Sequence, residues 1–134
     1  MINELILHLI AIKEFSKDIH YTCHSQAFYG KHLLADRVQE EIDDFIDELK
    51  ETALLGADER PLQSKEYLQG AVTLIPDILL KDDKQNFIEL HNLIIKTLDL
   101  IQGIEANRAT NALLDNIASN LQQSKGLINL QIED

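Results

Sequence analysis

Residues Gly30 to Leu55 read GKHLLADRVQEEIDDFIDELKETALL. The stretch holds no proline, and its apolar residues recur at three and four, the spacing of an amphipathic helix. Taking His32 as zero and stepping 100° per residue puts Leu34, Val38, Ile42, Phe45, Ile46 and Leu49 on an arc from roughly 200° to 320°. The opposite face is acidic. Asp43 falls near ~20°, Asp36 near ~40°, Asp47 near ~60°, Glu40 near ~80° and Glu51 near ~100° on the same wheel.

Three further segments carry the same periodicity, from about Asn3 to His24, Asp83 to Ile104 and Arg108 to Leu130. Gln26–Gly30 is short enough for neighbouring helices to turn back on each other. Asn107 is placed to cap the last helix, after Gly103 weakens the end of the third. A long connection, Gly56–Asp82, holds both prolines, Pro61 and Pro76, and Ser64–Gly70 within it suits a short helix. Four helices with one long crossover make an all-α, ferritin-like four-helix bundle, whereas an up-down-up-down bundle has short loops throughout.

Composition agrees and narrows the function. The chain has 134 residues, 12 Lys+Arg against 23 Asp+Glu, and 45% hydrophobic residues. That suits one domain spanning residues 1–134 with a single core. A net charge of −11 argues against a broad basic nucleic-acid surface and fits a protein that handles cations. One cysteine excludes a disulfide framework or a Cys-rich zinc site within the chain. The apolar start is interrupted by Glu4 and His8 and lacks a basic flank, so no export signal is expected there. No apolar run is long enough to span a bilayer. A cytoplasmic location, away from membranes, is expected.

The familiar catalytic motifs are absent: no HExxH, CxxC, GxSxG or phosphate-cradling glycine loop. Nor is there a Glu-x-x-His pair of the di-iron bundles. The acidic helix offers something else. His32 and Asp36 stand one turn apart, as do Asp47 and Glu51. Fifteen residues, roughly 22 Å of helix, separate the two pairs, so they cannot share a metal within one chain. A second copy running antiparallel across a two-fold axis would bring His32 and Asp36 of one subunit opposite Asp47 and Glu51 of the other. Such an isologous contact makes two identical sites per dimer. Imidazole with carboxylate suits Fe(II), Mn(II) or Zn(II), and His20, just across the turn, can complete the set.

The order His20, His32, Asp36, Asp47, Glu51 resembles the ferroxidase signature of the Dps family (DNA-binding protein from starved cells), the mini-ferritins. All five match in type and spacing within HYTCHSQAFYGKHLLADRVQEEIDDFIDELKE, residues 20–51. Asn107, Thr110, Leu113, Leu114 and Leu121 resemble that family's last helix more loosely. The resemblance implies these five residues as the metal-binding and catalytic set at a dimer interface. It implies a hollow dodecamer that oxidises Fe(II) with hydrogen peroxide or dioxygen and stores ferric mineral, protecting against oxidative stress. Tyr21 stands where family members often carry tryptophan. No Lys-rich N-terminal tail is present, so direct DNA binding is not expected. Zinc and manganese remain alternative cargo for the same ligands. Protonated imidazole cannot coordinate, so oxidation should fall as pH drops from about 7 to 5.

The remaining candidates carry less. His24, one turn from His20, reads as a solvent-facing or helix-end residue. His8 and His91 sit singly on apolar helices, as satisfied histidines usually do. Cys23 reads as a small buried hydrophobe. Glu40, Glu41, Asp44 and Glu48 line either a shell interior or outer solvated surface. A rival reading makes the chain a non-catalytic helical assembly or binding protein whose acidic face serves solubility or a basic partner.

Overall fold

The structure is a computed structural model and describes residues 1–24 and 27–133. Among these every regular element is helical. The chain runs through α1 (Ile2–Thr22), α2 (Phe28–Gln39) and α3 (Ile42–Glu48), then a π-helical stretch (Leu49–Leu54) and a 3₁₀ turn (Leu55–Ala57). After the crossover come α4 (Ser64–Val72), α5 (Asp83–Gln102) and α6 (Arg108–Ile132). All the expected segments are present. The turn expected over Gln26–Gly30 lies partly outside the described residues, and α2 already begins at Phe28.

Four helical units close a ring of contacts: α1 on α2, α2 on α6, α6 on α5, and α5 back on α1. The core fills its centre. Leu5, Leu9, Ile12 and Phe15 of α1 meet Val38, Ile42, Phe45 and Leu49, with Phe87, Leu90 and Ile94 from α5 and Leu114, Ile117 and Leu121 from α6, all buried. Helix ends are closed where the sequence supplies an acceptor. Asn107 Oδ1 accepts the Thr110 N–H at 2.9 Å, and Asp82 Oδ1 accepts that of Gln85 at 3.0 Å. Each such cap stabilises by about 1 kcal/mol.

The long acidic segment is not one regular helix. At Glu40 the chain tightens, with the Glu40 N–H on the Arg37 carbonyl three residues back. Residues 40–48 hold six carboxylates in nine positions. Glu40 repels Asp43 and Asp44, and Glu41 repels Asp44, at spacings that face each other on a helix. The apolar residues nevertheless keep their register on the core, through Ala35, Val38, Ile42, Phe45 and Leu49. Beyond Leu49 the wider π winding lets Ala53 and Leu54, adjacent in sequence, both bury. A single wheel therefore does not describe the whole acidic face.

The crossover is pinned at both ends. Tyr67 of α4 is buried; its hydroxyl donates to Asn3 Oδ1 at 2.6 Å and accepts the Leu62 N–H at 3.0 Å. Gly70 allows α4 to lie close on α1, because a Cβ there would come within 2.8 Å of both Leu7 methyls. Buried Asn86 of α5 holds the returning chain, donating to the Leu79 carbonyl at 2.8 Å and accepting the Leu79 N–H at 2.9 Å.

Candidate functional site

Two of the five candidate ligands meet where α1 ends and α2 begins. The rings of His20 and His32 stack, with centroids 3.5 Å apart and planes 17° from parallel. His20 Nδ1 lies 2.8 Å from the His32 carbonyl oxygen, and His32 Nδ1 lies 2.6 Å from the His20 carbonyl oxygen. A carbonyl oxygen only accepts, so Nδ1 of each ring carries the proton. In a neutral ring the lone pair then sits on Nε2. Metal-binding histidines are commonly held this way, with the second ring nitrogen donating to a carbonyl or carboxylate. Tyr21 packs edge-on to His20 at 4.9 Å, and Tyr29 lies nearly parallel to His32 at 6.4 Å. Tyr21, Phe28 and Tyr29 are all more than half exposed, leaving an aromatic rim around the pair.

The three carboxylates stand apart from this pair. Asp36, one turn beyond His32, is exposed and lines a cleft of about 340 Å³ between α2 and α6. Its Oδ1 accepts from Gln39 Nε2 at 3.0 Å, and Glu40, Glu41, Asn120 and Gln123 share the cleft wall. Asp47 and Glu51 are exposed on α3 and on the π-helical stretch. Glu51 is carried by a well-anchored segment: neighbouring Lys50 places its ammonium 4.8 Å over the Tyr67 ring. Among the described residues, no three His, Cys, Asp or Glu side chains of one chain gather as a metal site.

The other residues resolve individually. Asp43 leaves the acidic face free of one charge, since Lys13 reaches it at 2.8 Å. His8 donates from Nδ1 to the Glu4 carbonyl at 2.8 Å. Cys23 is half-buried rather than buried; its thiol lies 3.5 Å from the Phe28 carbonyl. Burial, with the charge of Asp83, pushes the thiol pKa up and keeps it from being a reactive thiolate. His91 has a buried Nε2 without a hydrogen-bond partner among the described residues, and burial, reinforced by Lys125, lowers its pKa.

His24 does not simply face solvent. Its backbone N–H donates to Asp83 Oδ2 at 3.0 Å, and Lys31 Nζ reaches the same oxygen at 3.0 Å. His24 Nδ1 lies 3.1 Å from Asp83 Oδ1, close enough to pair as an ion but without hydrogen-bond alignment. Burial by itself would raise the Asp83 pKa. The His24 N–H and the Lys31 ammonium outweigh it and hold the carboxyl below its ordinary value. Asp83 was missed in the sequence, where it reads only as an acidic first-turn residue of α5.

The chain matches no family model, no curated protein and no solved structure. Among the described residues no helix is long and apolar enough to cross a membrane.

Proposed function

We propose that this chain is a mini-ferritin: a ferritin-like four-helix bundle that oxidises Fe(II) at a site shared between two subunits and stores the ferric product in an oligomeric shell. The observation that carries this reading is the His20–His32 pair. Both Nδ1 atoms are committed to backbone carbonyls, which leaves Nε2 as the nitrogen for a metal ion. The ring of four helical units, with one long crossover carrying a short helix, agrees with the ferritin-like arrangement.

In this reading iron is substrate and cargo. His20 and His32 bind it through neutral imidazole; Asp36, one turn beyond His32 and hydrogen-bonded to Gln39, would have to swing out of its cleft to add an oxygen from the same chain, and Asp47 and Glu51 come from a two-fold partner. The carboxylates compensate the charge of Fe(II) and of the Fe(III) formed, and open coordination positions admit peroxide or dioxygen. In the balanced step two Fe(II) each lose one electron and one hydrogen peroxide is reduced to water, taking up two protons. Zinc or manganese would meet the same donors. The exposed aromatic rim of Tyr21, Phe28 and Tyr29 would be covered in the dimer.

Mixed subunits test the shared site. His32→Ala and Asp47→Ala chains should each be inactive alone. Refolded together in equal amounts, about one site in four draws an intact histidine set from one chain and an intact carboxylate set from the other. Roughly a quarter of the wild-type Fe(II) oxidation should return. No recovery in mixtures shown to exchange subunits would rule out a site built from two chains.

A further inference from the structure

The His20–His32 stack depends on where two backbone segments lie, because each ring is held by the other residue's carbonyl. The chain between them is short, and it is tied down from outside at both ends. His24 stands four residues after His20, and Lys31 stands one before His32. Both are bound to a single carboxylate, Asp83, through the His24 N–H and the Lys31 ammonium, each at 3.0 Å. Asp83 is the first residue of α5, and it is only 7% exposed. Desolvating a carboxylate there is costly. Capping does not account for it, since Asp82 already caps α5. The two partner residues of Asp83, His24 and Lys31, lie instead on the segment that brackets the two imidazoles.

We infer that Asp83 is a positioning residue for the His20–His32 pair: by clamping His24 and Lys31 to α5 it fixes the two carbonyls that orient both rings. The inference rests on the iron-site reading for its functional meaning. Asp83 touches neither ring of the pair and acts through the His24 N–H and the Lys31 ammonium, so its loss leaves the ligands present and removes their orientation. Partners that orient metal ligands typically contribute 10- to 100-fold in affinity. Asp83 stands one step further out, and a loss of about tenfold in Fe(II) affinity is expected for Asp83→Ala.

The test reads the rings directly, in the full chain without metal. Nitrogen-15 NMR of the imidazoles distinguishes Nδ1–H from Nε2–H. The wild type should show His20 and His32 each as the Nδ1–H form. In Asp83→Ala both should become mixtures of the two forms while helix content by circular dichroism is unchanged. Asp83→Asn keeps an acceptor for the His24 N–H and should fall between the two; it carries the test if the alanine variant does not fold. Unaltered ring spectra in a folded Asp83→Ala, or in Asp83→Asn where only that variant folds, would overturn the inference. Fe(II) oxidation by the wild type is scored separately. If it is absent while the rings still respond to Asp83, the iron reading falls and the positioning role stands.

Discussion

Replacing Asp83 by asparagine should destabilise the protein by an amount that depends on pH in a defined direction. The side chain of Asp83 is 6% exposed and that of Lys31 19% exposed, so their contact is shielded but the ammonium still reaches water. Breaking a fully buried pair costs about 3–5 kcal/mol, and an exposed one about 0–1. The Lys31 geometry lies between these limits, and a hydrogen bond to a charged group is worth about 1.5–3 kcal/mol. Asparagine retains an acceptor for the His24 N–H, and the His24 ring, 42% exposed, is given no weight. A loss of about 2 kcal/mol is expected for Asp83→Asn near neutral pH. Because the folded-state pKa of Asp83 lies below the ordinary carboxylate value, the stabilisation is fully present above the unfolded value. It disappears as pH falls through the folded value. Urea unfolding at fixed protein concentration, followed by circular dichroism, should show the gap constant from about pH 7 to 5 and closing below about pH 4. In a Lys31→Met background most of the gap should be gone already. An equal gap at pH 3 and pH 6, or none at pH 6, would refute the clamp.

Ser16 is fully buried and among the described residues its hydroxyl has no partner, so Ser16→Ala should stabilise the protein by about 1 kcal/mol, seen as a higher urea midpoint; a lower midpoint would show that the hydroxyl is satisfied. His91, whose pKa is lowered by burial, contributes stability that is present above its unfolded value near 6.5 and lost as pH falls through the folded one. His91→Gln should therefore lose less stability than wild type between about pH 7 and 5 in the same assay, and parallel curves would remove His91 as the cause.

The helical pattern was legible in the sequence because burial follows the three-four spacing. The segments, the short crossover helix and the Asn107 cap appear where apolar periodicity and capping chemistry put them. The break at Glu40–Glu41 and the π winding after Leu49 were not, because glutamate favours helix locally. At Glu40 the backbone tightens to a three-residue hydrogen bond, and after Leu49 the wider winding buries Ala53 and Leu54 together. At the site, the spacing of His20 and His32 was legible and their mutual carbonyl bonds were not. Asp83 contacts His24 and Lys31 from 59 and 52 residues away. No local pattern encodes a partner at that distance, and an acidic residue at a helix start has an ordinary local reason to be there.

The central claim is best tested by loading the protein anaerobically with Fe(II), adding hydrogen peroxide and recording ferric absorbance. Wild type should oxidise iron rapidly and keep the product in solution. The His32→Ala, Asp47→Ala double variant, with helix content intact, should do no better than a protein-free control. Wild-type oxidation no faster than that control, or a double variant as fast as wild type, would contradict the ferroxidase reading.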